Sequence, residues 1–415
     1  MSRVLILGAG TAGTIMANRL VATLPPGWTV TVVDRDDDHI YQPGLLLLPF
    51  GTYTAHELVR PRTRTLHDGV EFRIDAVTAL DPDAKQVTLA SGDTLTWDVL
   101  IVATGVELLP EETEGLTGTG WRESAFDFYS LEGSAALATH LEGFTGGHVV
   151  IDTVDMPIKC PVAPLEFALL LEAWATERGL RDATRITYVT PLDSAFTKPV
   201  AAGLIGTLLT DRGIDVVTDF VASKVDGATR TLHAWDGRTV DYDLLVAVPL
   251  HGGARFLRST LGDSLGFVPT HKHTLQHRTH PEVFALGDTT DLPTSKAGAV
   301  AHFQSEVLAH NVLRFIEGRP LLADYDGHAN CFLETGHGKA MLLDFNYDTE
   351  PLPGKFPLAG LGPFSLLEES RVNHWGKLAF RWAYWNVLLE GADLPMDARM
   401  ALAGKRMDAM AGGAK

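Results

Sequence analysis

Short apolar runs recur along the chain, each closed by a small or polar turn. Val4-Leu-Ile-Leu7, Thr29 to Val33, Asp98-Val-Leu-Ile-Val102, His148-Val-Val-Ile151, Arg185 to Val189 and Asp243-Leu-Leu-Val-Ala-Val248 read as buried strands. Helical spacing follows several of them, over Thr14 to Leu24 and over Leu165 to Ala175. Strands that alternate with helices predict an α/β chain with parallel sheets. Further on, Gly327 to Tyr347 reads as two strands joined by the turn Thr335-Gly-His-Gly338. Proline and glycine punctuate Pro351 to Phe364. Then Trp375, Leu378, Ala379, Trp382, Trp385 and Leu389 repeat at helical spacing and are expected to share one face.

The first strand runs into Gly8-Ala-Gly-Thr-Ala-Gly13 and the second ends at Asp34. This is a dinucleotide fingerprint in its strand-turn-helix-strand context. Gly8 permits the tight turn, Gly10 lets a pyrophosphate approach the helix N-terminus, and Gly13 lets helix and strand pack closely. Asp34 is expected to accept from a ribose hydroxyl. The region between Gly105 and about Thr270 repeats this layout without the glycines, His148 to Ile151 being its first strand. Its turn is Asp152-Thr-Val-Asp-Met-Pro-Ile-Lys-Cys-Pro-Val-Ala-Pro164, where bulky and proline residues keep a pyrophosphate off the backbone. Tyr188-Val-Thr-Pro191 also lacks the acid that would read an NAD ribose.

The chain has 415 residues, so two or three domains are expected. A net charge of -18 disfavours nucleic acid and wholesale adsorption to anionic lipid. The N-terminus enters the first strand at once, so no secretory signal is expected. No stretch reaches the roughly 18 apolar residues of a membrane-spanning helix. Between Ser370 and Leu389 the charges are Arg371, Lys377 and Arg381, all positive. Tryptophan with basic residues at helical spacing predicts a peripheral helix lying in a membrane interface.

Only two cysteines occur, Cys160 and Cys331, about 170 positions apart. Pro161 and Pro164 suit the first turn of a helix, which would place the Cys160 thiol at the positive end of its dipole beside Lys159. Both influences are expected to lower its pKa. Glu166, in the first helical turns, is a candidate proton exchanger.

The chain resembles the two-dinucleotide-domain flavoprotein reductases, and within them the sulfide:quinone oxidoreductases. The resemblance rests on Gly8 to Gly13, Tyr41-Gln-Pro-Gly44, Ala103-Thr-Gly105, Lys159-Cys-Pro-Val-Ala-Pro-Leu-Glu166, Leu286-Gly-Asp288, Pro293-Thr-Ser-Lys-Ala-Gly298 and Asn330-Cys-Phe-Leu-Glu-Thr-Gly336. Arg371 to Leu389 extends it. It implies two Rossmann-like dinucleotide-binding domains of the glutathione-reductase kind and a C-terminal α+β membrane-contact region. The expected division is 1–110 and 271–325 for the flavin domain, 111–270 for the second domain and 326–415 for the tail. The resemblance assigns Gly8, Gly10, Ala12, Gly13, Asp34, Arg35, Gln42, Pro43, Val77, Thr104, Gly105, Gly287, Asp288 and Lys296 to FAD. The resemblance implies that Lys296 approaches the flavin and the quinone end. No third cysteine stands at Phe126-Asp-Phe-Tyr129, so the FAD is expected to be non-covalent. Cys160 and Cys331 match the redox pair, and Phe332 and Phe364 the quinone pocket.

The implied activity oxidises sulfide to polysulfide or sulfur and reduces membrane quinone. Two enzymatic rivals share the fold: an NADH:quinone reductase and the flavin subunit of a haem-linked sulfide dehydrogenase. A rival of another class is a catalytically silent FAD-binding sulfur carrier. Quinone type, sulfur chain length, which cysteine carries the growing chain, membrane face and a possible homo-oligomer stay open.

Overall fold

A computed structural model describes residues 2–357, 362–392 and 397–406. Two parallel sheets form its centre. The first has the spatial order Val283–Ala285, Val99–Val102, Ser2–Leu7, Trp28–Asp34, Val70–Ile74. Its inner strands bury both faces, and Val4 to Leu7 and Val99 to Val102 are fully enclosed. The second has the order Ala125–Phe126, Leu244–Val248, Gly147–Thr153, Thr184–Val189, Ile214–Val217. Each sheet carries a three-stranded antiparallel partner, starting at Val77 and at Ala222 respectively. The α-helices are α1 (Thr11–Thr23), α2 (Leu131–Glu142), α3 (Ala163–Glu177), α4 (Pro199–Asp211), α5 (Gly298–Ile316) and α6 (Arg371–Ala383). The α/β fold class read from the apolar runs is the one observed.

A third sheet follows. Ala329–Gly336 and Lys339–Phe345 form the expected hairpin, with Phe364–Leu366 and Gly354–Phe356 alongside. The Pro351 to Phe364 link therefore contributes strand at both ends, while 358–361 lie outside the described residues.

The tail departs from the expected single helical face. After Ala383 the chain widens into a π-turn, Tyr384–Leu388, which shifts the phase of everything beyond it. Trp375 and Trp382 are each 67% exposed, whereas Trp385 is 5% exposed. Trp385 and Leu389 turn inward onto Ile15, Tyr41, Leu45 and Leu58. The exposed face is Val372, Trp375, Ala379 and Trp382.

One buried acid stands out at the end of the strand Gly147–Thr153. Asp152 is fully buried, and neither carboxylate oxygen has a partner. Burial pushes its pKa up to about 8. A carboxyl whose folded pKa lies above its unfolded value costs stability once the unfolded chain ionises. The cost grows as pH rises from about 4 and is complete near pH 8, on the order of 6 kcal/mol. Asp152→Asn is expected to match the parent in urea midpoint at pH 4.5 and exceed it at pH 8. Parallel pH profiles for the two proteins would contradict this.

Candidate active site

The first glycine turn is shaped by close backbone approach. Gly8 has φ +98, and a Cβ there would lie 2.5 Å from the Ala103 carbonyl oxygen. A Cβ on Gly10, by contrast, would meet nothing within 4 Å, so the start of α1 opens onto free space. The first N–H groups of a helix have no partner within it. Gly10 is the N-cap, and no side chain bonds there.

Two other turns converge on this opening. Thr104 and Thr289 hydroxyls are 3.1 Å apart, joining the Thr104-Gly105 turn to the Gly287–Thr289 turn. A Cβ on Gly287 would lie 3.2 Å from the Ala12 Cβ. Asp288 is held there, with burial pushing its pKa up while Lys296 and Lys159 oppose. An open helix N-terminus flanked by two glycine turns and an acid fits the pyrophosphate and ribityl parts of FAD.

The remaining expected FAD residues are placed as follows. Asp34 accepts from the Ala9 N–H at 2.6 Å and the Arg35 N–H at 2.8 Å, with the Arg62 guanidinium 3.3 Å away. The Arg35 side chain itself is exposed beside Asp36. Gln42 and Pro43 form a short 3-10 turn, and Gln42 Oε1 accepts from Lys159 at 2.6 Å. Val77 starts an antiparallel strand opposite Leu89. Lys296 is not a solvated loop lysine. Its ammonium donates to the carbonyls of Asp288 at 2.8 Å and Thr290 at 2.7 Å, and lies 4.5 Å from the Phe267 ring centre. Burial pushes its pKa down to about 8, with Asp288 opposing.

Cys160 departs from its expected setting. The helix α3 begins at Ala163 with Val162 as N-cap, so Cys160 lies outside the helix, at φ +47. That left-handed conformation is uncommon for a residue with a side chain. It is held by three hydrogen bonds. The Cys160 N–H donates to the Lys296 carbonyl at 2.6 Å, and its carbonyl accepts from Ala163 N at 2.9 Å and from the Tyr129 hydroxyl at 3.2 Å. Lys159 turns its ammonium to Gln42 and the Tyr129 carbonyl. The expected low thiol pKa is therefore corrected. Burial pushes the Cys160 thiol far up, and Glu166 and Cys331 add to the effect. Burial and then Glu166 push Cys331 up to about 12. Desolvation outweighs a helix end that the thiol does not cap.

Both cysteines lie around one buried cluster. Glu166, 1% exposed, accepts from the Glu334 N–H at 2.6 Å and from the Lys377 ammonium. Lys377 also donates to the Phe332 carbonyl at 3.2 Å. Glu334 bonds the His374 imidazole at 2.9 Å. Charges sequestered this way are paired because an isolated one is too costly. This corrects the basic face expected of the tail helix. Lys377 points into the protein, and Arg381 reaches Glu57 at 3.4 Å and the Tyr53 ring at 4.6 Å. Sequence reasoning missed Lys377, Glu334 and Tyr129 as site residues. The available signal was phase: Lys377 lies off the Trp375 and Trp382 face.

Phe332 and Phe364 meet edge to face, with centroids 5.3 Å apart. They cover α6 at Gly376, where a Cβ would lie 2.5 Å from the Phe364 ring.

Comparisons with known proteins agree with this geometry. Residues 2–134 match the pyridine nucleotide-disulphide oxidoreductase family. The mitochondrial sulfide:quinone oxidoreductase of Mus musculus is 29% identical over 396 residues, covering 94% of this chain and 86% of that protein. The mitochondrial sulfide:quinone oxidoreductase of Dictyostelium discoideum is 28% identical, covering 94% and 86%. The crystal structure of the sulfide:quinone oxidoreductase of Aquifex aeolicus aligns with TM-score 0.78 at 20% identity, over 94% of this chain and 92% of that one. The chain is a relative of the sulfide:quinone oxidoreductases over nearly its whole length, and its cofactor is FAD.

Proposed function

We propose that this protein is an FAD enzyme that oxidises sulfide at Cys160 and Cys331 and delivers the electrons to a membrane quinone. One observation carries the reading: two half-buried cysteines from distant segments flank a single buried Glu166–Lys377 pair.

In the oxidised state the two sulfurs are joined, directly or through bridging sulfur. Hydrosulfide attacks the Cys160 sulfur. A new S–S bond forms there, the bond toward Cys331 breaks, and its electron pair leaves on Cys331 as a thiolate. The incoming sulfur is oxidised to the persulfide level and the bridge is reduced by two electrons. Lys377 favours the thiolate at both positions, although burial opposes it more strongly. The charged form is thus transient. FAD bound at the glycine turns supplies two-electron acceptance and release. The Cys331 thiolate and the terminal persulfide sulfur rejoin as a bridge with loss of two electrons, which the bound FAD would accept, and each further hydrosulfide attack then lengthens the chain on Cys160 by one sulfur until it leaves as polysulfide or sulfur.

Phe332 and Phe364 supply an apolar wall for the quinone ring beside Lys377. The face Val372, Trp375, Ala379 and Trp382 dips into the interface and brings that wall to the quinone's own solvent. No described helix is long and apolar enough to cross a membrane.

The test is anaerobic sulfide addition to purified, FAD-loaded protein with a soluble quinone analogue. Sulfide is expected to bleach the flavin and the quinone to restore it. Bleaching by NADH and none by sulfide would overturn the reading. The double change Trp375→Ala/Trp382→Ala is expected to weaken partition into phosphatidylcholine vesicles by about tenfold or more while leaving sulfide-driven bleaching intact.

A further inference from the structure

Quinone reduction consumes protons as well as electrons. Hydrosulfide gives up two electrons and one proton as its sulfur reaches the zero-valent level, whereas a quinone takes up two of each to become the quinol. Every turnover therefore draws one proton from bulk water to the quinone ring. Phe332 and Phe364 carry no exchangeable proton, and the Lys377 ammonium is engaged by Glu166 and the Phe332 carbonyl.

The strand Ala329–Gly336 places an acid beside that aromatic wall. Side chains two apart on a strand share a face. Phe332 and Glu334 accordingly both turn toward α6, Phe332 against Gly376 and Glu334 against His374. Cys331, one residue before Phe332, belongs to the opposite face. The Glu334 side chain is only 2% exposed, whereas that of His374 is 26% exposed. His374 Nδ1 lies 3.0 and 2.9 Å from the two Glu334 oxygens. His374 also adjoins Trp375, on the exposed face of α6. The pair thus runs from the protein surface to the face that carries Phe332.

An ionised carboxylate only accepts, so Nδ1 carries the proton in this bond. A proton gained at Nε2 therefore lets the Nδ1 proton pass to Glu334. Burial raises the pKa of Glu334, Lys377 and His374 oppose, and Glu166 adds to the rise. Tyr53 faces the same group, between Arg381, Lys377, Glu57 and Glu334. A buried carboxyl of this kind can hold a proton and give it up again.

We propose that His374 and Glu334 form the proton inlet for quinone reduction: His374 takes a proton from water at the membrane face and relays it to Glu334, which donates it to a quinone oxygen. One O–H bond breaks on Glu334 as one forms on the quinone, and His374 then restores the carboxyl. The electron pair comes from FAD, and the quinol's other proton is balanced by the one hydrosulfide releases. The inference rests on quinone as the electron acceptor.

The experiment uses the full FAD-loaded chain with its flavin photoreduced anaerobically, so that sulfide does not enter. Reoxidation is followed with a soluble quinone analogue and, separately, with ferricyanide, which takes electrons without protons. Glu334→Gln still accepts from His374 but carries no acidic proton. It is expected to slow reoxidation by quinone about a hundredfold, as for loss of a general acid. His374→Ala is expected to slow it about tenfold, with imidazole in the buffer restoring most of the rate. Ferricyanide reoxidises both variants at the parent rate. A parent-like quinone rate in Glu334→Gln would overturn the proposal. So would His374→Ala that imidazole does not rescue, or a ferricyanide rate that falls in step with the quinone rate, which marks a structural defect. A parent protein that quinone cannot reoxidise would remove the quinone reading itself, and this inference with it.

Discussion

Replacing Cys160 with serine is expected to slow sulfide-dependent flavin reduction by about a thousandfold or more, as removal of a nucleophile-carrying residue does elsewhere. Cys331→Ser is expected to do the same. Neither oxygen can form the bridge that hydrosulfide opens, so no electron pair reaches the flavin side. Both variants should retain FAD, because neither thiol forms part of the Gly8, Gly105 or Gly287 turns. Anaerobic rapid mixing with sulfide, followed by flavin absorbance, measures the rate. Matched flavin content establishes that the site is otherwise intact. A residual rate within tenfold of the parent in both variants would make the cysteines structural and remove the proposed mechanism.

The second large effect concerns Lys377. Its ammonium is buried with Glu166 and close to Glu334. Burial works to lower its pKa, but Glu166 and Glu334 outweigh burial and hold it above the ordinary lysine value. A lysine whose folded pKa is raised contributes stability fully below its unfolded pKa and loses it as pH rises through the folded one. Lys377 is therefore charged across the neutral range. Lys377→Met leaves Glu166 buried without its counter-charge, which costs about 3–5 kcal/mol. Adding Glu166→Gln is expected to recover most of that loss, since the remaining group is neutral. Urea midpoints of the single and double variants at pH 7 measure the difference. A double variant no more stable than Lys377→Met alone would contradict this account.

How much of this was legible depends on the range over which each feature is decided. The glycine turn after Leu7 is a local matter of backbone contact, and its residues could be read in order. The buried parallel strands were legible for the same reason, since their apolar runs are continuous. The Glu166–Lys377 pair joins residues 211 positions apart, and nothing local marks either as the other's partner. Lys377 in a tryptophan-rich stretch reads as an interfacial charge until the fold supplies a buried acid beneath it. The reactivity expected of Cys160 failed on burial, which only the assembled hairpin and α3 create. Trp385 failed on phase: one π-turn moved it from the presumed outer face into the core. Cys160 and Cys331 were paired through family resemblance, and the residues alone gave no reason for them to meet.

Lys296 has a consequence that reaches beyond the bonds it makes. Its carbonyl holds the Cys160 peptide, and its ammonium closes the turn that carries Asp288. A single residue thus ties the sulfur-bearing loop to the cofactor's seat. The spacing between the Cys160 loop and the Asp288 turn is set within the length of one lysine, instead of accumulating the tolerances of two separately folded sheets. Two hydrogen bonds from one residue thus couple the position of the Cys160 peptide to that of the Asp288 turn.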